Sequence, residues 1–363
     1  LTSHFYPAPV DVTTLSHKNL GNALRAAVDE LEPNSSPGAL WSGGTNKKLL
    51  EMRLDEIVDA VTLLYCFLCE NDITSWTAER IFKETGIAYK VFIKDELHPA
   101  EKANTNRWRI IFSNPIVLNV LERMVFGPTL DEEKKDKAYL EIPTSVGLVM
   151  SGQDKRAEAF RLRDKVKRFV GDSIASTDGS GWDWSVPSWL YEAAEERYEN
   201  SSPEFRRLTK NLLHICMNKA LMFSDGLIVV QDQPGIVPSG SYQTGSLNSF
   251  LRALLRAFID GHVPVTMGDD CLEAHVEGLV EMYKEFGFTI KYSGTPSSLN
   301  DFEFCSKHFR NGGVVPVKKS VEKMLLNAYC SQDPQVIESI ASELDEAEDY
   351  THLIPHVLQR GQA

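Results

Sequence analysis

Two sets of closely spaced carboxylates are the first residues here that could do chemistry. In Val263-Pro-Val-Thr-Met-Gly-Asp-Asp-Cys-Leu-Glu273 a β-rich run enters Gly268-Asp269-Asp270 and a second apolar run leaves it. Gly-Asp between two such runs signals a tight hairpin, which presents adjacent carboxylates at one point. Crowded carboxylates repel unless a divalent cation neutralises them, and hard oxygen ligands select Mg2+ or Mn2+. Standing alone, the tripeptide reads as an ordinary turn. A second pair lies in Ser176-Thr-Asp178-Gly-Ser-Gly-Trp-Asp183-Trp-Ser185. Asp178 ends a strand pattern, and an acid at a strand end can lie beside a neighbouring hairpin tip of the same sheet. The plainer reading makes Asp178 a turn residue and Asp183 a helix cap.

Between these pairs, Pro238-Ser239-Gly-Ser-Tyr-Gln-Thr244-Gly-Ser-Leu-Asn248-Ser249 runs from a Gly-containing loop into a helix. Thr244 and Asn248 are four apart and share one face. That face either caps the helix or reads a sugar hydroxyl, with backbone N–H groups near phosphate. Upstream, Lys94, Lys102, Arg107 and Arg109 are spread along a loop-like stretch before an apolar strand. The net charge over Lys94–Arg109 is only 4 − 3 = +1, which equally suits a mixed solvated surface. For a triphosphate the placement of cations matters more than their sum.

Holding these groups requires helices and a small sheet. Helical patterns run through Asn46–Glu70, Pro115–Phe126, Pro187–Glu199 and Pro203–Met222. The second has Ser113 and Asn114 as cap candidates and Gly127 just past its end. Shorter helical patterns cover Thr244–Ile259, Val276–Phe286, Ser320–Tyr329 and Gln335–Leu344. Strand-like runs are Asp172–Thr177, Leu227–Gln231, Val263–Met267, Phe288–Tyr292 and Phe302–Phe304. The pattern is α+β with a small, mostly antiparallel sheet. Loops are expected at Glu32–Gly44 and Ser293–Asn300.

Composition narrows the class. At 363 residues, 42% hydrophobic and 25% charged, the chain buries a sizeable core, which excludes disorder and fibrous folds. The longest apolar run, Ala60–Cys69, is too short to span a bilayer, so no intrinsic transmembrane segment is expected. No signal peptide is evident, and six cysteines with one Cys66-x-x-Cys69 suggest reduced thiols, those two in the core. His214 reads as a satisfied core histidine. The formal charge of −13 argues, by itself, against a nucleic-acid partner. Yet seven carboxylates lie within Asp333–Asp349 with no Lys or Arg, while Asp154–Arg168 sets seven cations against three acids on a basic helical face.

Taken together and in order, these segments resemble motifs F, A, B and C of the RNA-dependent RNA polymerases of positive-strand RNA viruses. Motif F is KDEL at Lys94 with Lys102 and Arg109; motif A is D-x4-D at Asp178 and Asp183. Motif B is SG-x3-T-x3-N at Ser239, Gly240, Thr244 and Asn248, and motif C is GDD. Phe286-Gly-Phe-Thr-Ile-Lys291 is similar to motif D and Phe304-Cys-Ser306 to motif E. The wording of motifs A and E places the resemblance in the sobemovirus, polerovirus and barnavirus cluster of the picornavirus-like supergroup. It spans residues 94–309.

The resemblance implies a right-hand fold: fingers at 1–140 with motif F at 94–113, palm at 141–185, a fingers insertion at 186–238, palm again at 239–311, and a short thumb at 312–363. It implies template-directed nucleotidyl transfer from NTPs to an RNA 3′-hydroxyl with two Mg2+ (or Mn2+) ions held by Asp178, Asp269 and Asp270. Lys94, Lys102, Arg107 and Arg109 would take the triphosphate. Asp183, Asn248, Thr244 and Ser239 would read the ribose, and Lys291 is the nearest candidate for the motif D general acid. Implied partners are RNA template and primer, a genome-linked protein primer, and other viral replication proteins that bring the enzyme to membranes in the host cytoplasm. The acidic Asp333–Asp349 stretch reads as the solvated face of a thumb helix, with a docking site for a basic partner such as the genome-linked protein as the alternative.

Departures exist: His98 stands where an Arg is common, Ser293–Ser298 offers no lysine, and the chain is short and opens on Leu1, as a processed polyprotein product would. A reverse transcriptase, a metal phosphohydrolase and a non-catalytic RNA-binding palm are the rival readings. The first usually carries an aromatic residue before its Asp-Asp pair, where Met267-Gly268 stands here.

Overall fold

The structure, a computed structural model, describes residues 6–41, 44–94, 96–97, 100–135, 139–148, 155–310, 313–331, 333–345 and 348–360. His98, Asp154 and Glu346 lie outside the described residues. The α-helices are α1 (His17–Asp29), α2 (Asn46–Glu70), α3 (Ala78–Thr85), α4 (Ala100–Asn104), α5 (Ile116–Lys134), α6 (Lys155–Phe169), α7 (Trp182–Ser185), α8 (Ser188–Glu195), α9 (Pro203–Met217), α10 (Thr244–Asp260), α11 (Leu279–Glu285), α12 (Lys318–Cys330), α13 (Pro334–Asp345) and α14 (Ile354–Arg360). The strands are β1 (Tyr89–Ile93), β2 (Ile110–Ser113), β3 (Ile174–Gly179), β4 (Ala220–Met222), β5 (Ile228–Val230), β6 (Val265–Met267), β7 (Asp270–Ala274), β8 (Ile290–Lys291), β9 (Asp301–Phe304), β10 (Lys307–Arg310) and β11 (Gly313–Pro316). No described helix is long and apolar enough to cross a membrane.

Local chemistry sets many of these boundaries. Ser16, Thr45, Thr77 and Ser202 each accept a backbone N–H three residues on, the usual way to satisfy an orphan donor at a helix start. Gly261, at φ +79, ends α10 in the left-handed conformation that a side chain disfavours. Among the described residues the strands form three sheets, ordered β2-β1-β4-β5, β6-β7-β3-β8 and β11-β10-β9. Every pairing is antiparallel except β1 with β4. The largest apolar core joins α2, α5, α9 and α10; a second lies beneath β6, β7 and β9, and a third belongs to α12–α14 alone.

Several sequence expectations change. The helix expected to stop at Phe126 runs through Gly127 and Pro128 to Lys134. Burial decides this: Val125, Phe126, Gly127, Thr129 and Leu130 are all buried, and packing outweighs the missing proline N–H. The helix expected to reach Met222 ends at Met217. There Lys219, buried, donates to the carbonyls of Cys216, Gly235 and Ile236 at 2.6–2.8 Å, and the chain turns into β4. Strands β1, β10 and β11 have no counterpart in the expected set. Cys66 is exposed, not a core thiol, because α2 buries Ile57, Val61, Tyr65 and Leu68. Nor is the α6 basic face wholly solvated. Lys165 is fully buried, donates to the Thr144 carbonyl and lies 4.1 Å from the Tyr139 ring centre. His214 is buried with Nε2 2.8 Å from the Trp76 carbonyl, as expected.

Behind the central sheet sits a sealed cluster of charges. Arg252 of α10 contacts Tyr283 of α11 and donates to Thr177 of β3 at 2.9 Å and Glu273 of β7 at 3.0 Å. Arg256 donates to the other Glu273 oxygen at 2.8 Å, as does the Tyr283 hydroxyl. Both arginines and Glu273 are fully buried. Removing one partner from such a group strands a charge in a poorly polarisable interior, at about 3–5 kcal/mol. Glu273→Gln is therefore expected to lower the stability measured by urea unfolding by about that amount. An unchanged midpoint would show that the cluster is not needed.

A second tight point lies where β2 meets the loop before α10. A Cβ on Gly240 would fall 2.2 Å from the Phe112 carbonyl oxygen, whereas one on Gly245 meets nothing within 4 Å. Gly240→Ala should cost about 1–3 kcal/mol in thermal unfolding, by forcing the two backbones apart. Gly245→Ala should be neutral or stabilise by up to about 1 kcal/mol. Equal effects at the two positions would contradict this contact.

Candidate active site

The β3–β7–β6 edge brings the expected carboxylates together. The turn joining β6 and β7 is Gly268-Asp269, with Gly268 at φ +64, so the hairpin expected from Gly-Asp is present. On the facing strand, Asp178 lies directly opposite Asp270 in antiparallel register, and Gly179 N–H reaches the Asp269 carbonyl at 3.4 Å. The turn is pinned from behind by Ser249 of α10. Its hydroxyl accepts the Gly268 N–H at 2.7 Å, and its carbonyl accepts the Thr266 hydroxyl at 2.7 Å.

Crowding shows in the electrostatics. Burial raises the pKa of Asp269, and the Asp178 charge adds to it. Asp270 is pushed up to about 7 by burial, then by Asp269 and Asp178. The Cys305 thiol of the β9–β10 turn lies beside Asp270 and is itself pushed up by burial. Lys291 of β8 is the register partner of Asp178 and forms an ion pair with its carboxylate. Among the described residues no three acidic, histidine or cysteine side chains are already drawn round one point.

Asp183 and Asn248 meet as the motif spacing predicts. The Asn248 amide donates to Asp183 Oδ1 at 2.8 Å, and its oxygen accepts the Trp182 indole N–H at 3.0 Å. Burial pushes the Asp183 pKa up, while Asn248 and Arg109 hold it down. Of the flanking tryptophans, Trp182 packs in the core against Phe288 and Trp184 is exposed. Thr244 and Ser239 also tie down their own loop. Thr244 donates to the Pro238 and Ser241 carbonyls at 2.8 Å, bracing its own loop. Ser239 Oγ accepts the Phe112 N–H at 3.0 Å, tying that loop to β2.

The four expected cations separate into two pairs. Lys94 and Arg109 sit side by side, Lys94 N–H bonding the Arg109 carbonyl at 2.8 Å. Both reach Glu96, at 3.2 and 3.6 Å. Arg107 instead turns to Glu101 at 2.8 Å, and Lys102 is exposed on α4. Glu96 also pairs with Lys323 of α12 at 3.3 Å. Although burial opposes it, Lys94 and Lys323 hold the Glu96 pKa below the usual carboxylate range.

Sequence reasoning passed over Glu122 and Glu96. Glu122 of α5 is fully buried and accepts the Ser241 hydroxyl at 2.7 Å, the Tyr242 N–H at 2.8 Å and the Asn114 amide at 3.2 Å. It thereby fixes the loop that leads into α10. The available signal was the one acid in the mostly apolar Val117–Phe126 run. Glu96 was counted only as a negative charge within motif F.

Comparison with known proteins supplies the lineage. A family model for viral RNA-dependent RNA polymerase matches residues 8–359. Replicase polyprotein P2AB of Southern cowpea mosaic virus is 34% identical over 295 residues, covering 78% of this chain and 30% of that protein. Protein P1-P2 of Potato leafroll virus (strain Potato/Scotland/strain 1/1984) is 31% identical over 285 residues, covering 74% of this chain and 26% of that one. The chain thus spans under a third of the length of these relatives. Among solved structures, the Sicinivirus 3Dpol RNA dependent RNA polymerase superposes with a TM-score of 0.68 at 15% identity, covering 98% of this chain and 83% of that one, which identifies the right-hand fold. With motif, fold and near full-length profile in agreement, this chain belongs to the viral RNA-dependent RNA polymerase family, in its sobemovirus and polerovirus branch.

Proposed function

We propose that the chain catalyses template-directed RNA synthesis, joining NTPs to an RNA 3′-hydroxyl during viral genome replication. The observation that carries this reading is Asp178 in register with Asp270, with Asp269 on the adjoining turn and Asp183, bonded to Asn248, on the short helix α7 that follows β3. In the accompanying division of the hand, fingers take 1–140 and 186–238, palm 141–185 and 239–311, and thumb 312–363.

The donor set fits divalent cations. Asp178, Asp269 and Asp270 offer only hard oxygens, and Asp269 and Asp270 are raised first by burial and then by the neighbouring acids, two costs of ionisation that a bound cation would offset. These three residues would hold Mg2+ or Mn2+, which when bound activates a hydroxyl and steadies the transferring phosphates. The chain's own groups do the remainder. Lys94 and Arg109, with Lys102 and Arg107 further out, neutralise the triphosphate. A carboxylate accepts more than one donor, so Asp183 takes a ribose 2′-hydroxyl while Asn248 holds it in place. Lys291, paired with Asp178, would give a proton to the departing pyrophosphate. Ser239 and Thr244 shape the loop beside that pair, and each hydroxyl keeps a hydrogen-bonding position for the nucleotide: Ser239 can still donate and Thr244 can still accept. RNA template and primer, a genome-linked protein primer and other replication proteins are the proposed partners, and host cytoplasmic membranes reached through those proteins the proposed location.

Primer extension on a homopolymer template with Mg2+ tests the metal assignment. Asp269→Asn should slow elongation at least about a hundredfold, since several kcal/mol of charge stabilisation is lost. Elongation near the native rate would refute it. Asn248→Ala should cut the preference for rNTP over dNTP by about three- to tenfold, the worth of one hydrogen bond. Unchanged discrimination would remove Asn248 from sugar reading.

A further inference from the structure

Glu96 is out of place in a triphosphate site. It is the acid that both Lys94 and Arg109 reach, through different oxygens, and its side chain is only 17% exposed. A carboxylate there opposes any incoming polyanion by repulsion and by occupying the donors the polyanion needs. Its third partner, Lys323, comes from α12, 227 positions along the chain, and shares Oε2 with Lys94. The motif F loop and α12 are thus joined through one acid.

We propose that Glu96 is a placeholder for the NTP triphosphate, displaced from Lys94 and Arg109 as the nucleotide enters and received by Lys323. The inference rests on the reading of Lys94 and Arg109 as triphosphate ligands. In the empty site Glu96 keeps two like charges from repelling each other and holds them in place. When a triphosphate takes over, the carboxylate needs another cation, and Lys323 already touches it. Entry of the nucleotide therefore strengthens the Glu96–Lys323 link, so that filling the site draws the motif F loop towards α12. Lys323 consequently favours entry although it is assigned no contact with the nucleotide.

The two partners should act with opposite signs, which simple structural support would not produce. The probe is inorganic tripolyphosphate, measured by titration calorimetry on the full chain, alongside KM for NTP in primer extension. Glu96→Gln keeps the shape and removes the charge, and it should tighten tripolyphosphate binding and lower KM by about two- to fivefold, the scale of a partly exposed ion pair. Lys323→Met should weaken binding and raise KM by a similar factor, because the displaced carboxylate then has nowhere to go. In the double variant Lys323→Met should have no further effect, since the acid it serves is gone. Weaker binding in both single variants, additive in the double, would overturn the placeholder and leave Glu96 a simple brace. Lys94→Ala and Arg109→Ala separate this from failure of the underlying site. If both leave tripolyphosphate binding unchanged, the triphosphate assignment itself falls and the placeholder with it. If they weaken binding while Glu96→Gln fails to tighten it, the placeholder alone is wrong.

Discussion

The palm depends on a buried guanidinium. Arg252 reaches from α10 to β3, β7 and α11 at once, touching Thr177, Glu273 and Tyr283. Strands β3 and β7 carry the motif A and motif C acids, α11 leads directly into the motif D segment, and the helix that supplies Arg252 carries the motif B segment. A buried charge tolerates few alternative geometries, because each broken contact exposes an ion to an environment that solvates it badly. Sliding β3 by one position against β7 would part Thr177 from Glu273 and turn its side chains to the opposite face. It would also part Asp178 from Asp270. The register that aligns Asp178 with Asp270 on one side is thus enforced by charge on the other.

The helix that does this has an inverted character. Thr244, Asn248, Arg252 and Arg256 recur every four residues, and the last three are buried, while Phe258 on the same helix is exposed beside Trp189 and Phe286. A polar stripe faces inward because it has specific partners there: loop carbonyls for Thr244, Asp183 for Asn248, and Glu273 for both arginines. Ser249, one residue off the stripe, holds the Gly268 turn. One helix therefore places the Asp183–Asn248 pair, the Gly268-Asp269 turn and the strand register in a fixed mutual relation. Its own entry is fixed by Glu122 and by the approach of Gly240 to Phe112.

What was legible in the sequence was chemistry packed into short segments. Asp-Asp after Gly268 and Asn248 four beyond Thr244 are relations that a hairpin or a single helical turn enforces, and Asp183 five beyond Asp178 spans only the short turn from β3 into α7, so the chain itself displays them. The antiparallel palm sheet followed from the same runs. Relations closed over long separations were hidden. Nothing near Glu273 announces Arg252, and nothing near Glu96 announces Lys323. Boundaries failed for a similar reason. Pro128 is tolerated because α5 is buried on many sides, and α9 stops because Lys219 finds three carbonyls, two of them far downstream. Cys66 misled because the run Ala60–Cys69 is apolar all round while only one face of it is covered.

The same distinction explains why a net charge of −13 is no obstacle to handling RNA. A polyanion responds to the field where it lies, within roughly a Debye length of about 8–10 Å, and not to the sum over the molecule. Several of the acids never present a bare charge there. Glu122 is buried among donors, Glu273 is spent between two arginines, and Glu343 is tied to Lys307 on the thumb side. Asp178, Asp269 and Asp270 are suited to divalent cations, which reverse the local sign. Glu96 is held among three cations, so its charge tempers the motif F loop without making it acidic. Excess acid of this kind is a condition of the chemistry: a phosphate-transfer site needs carboxylates to hold its cations, and each must be kept from repelling the substrate by a partner of its own.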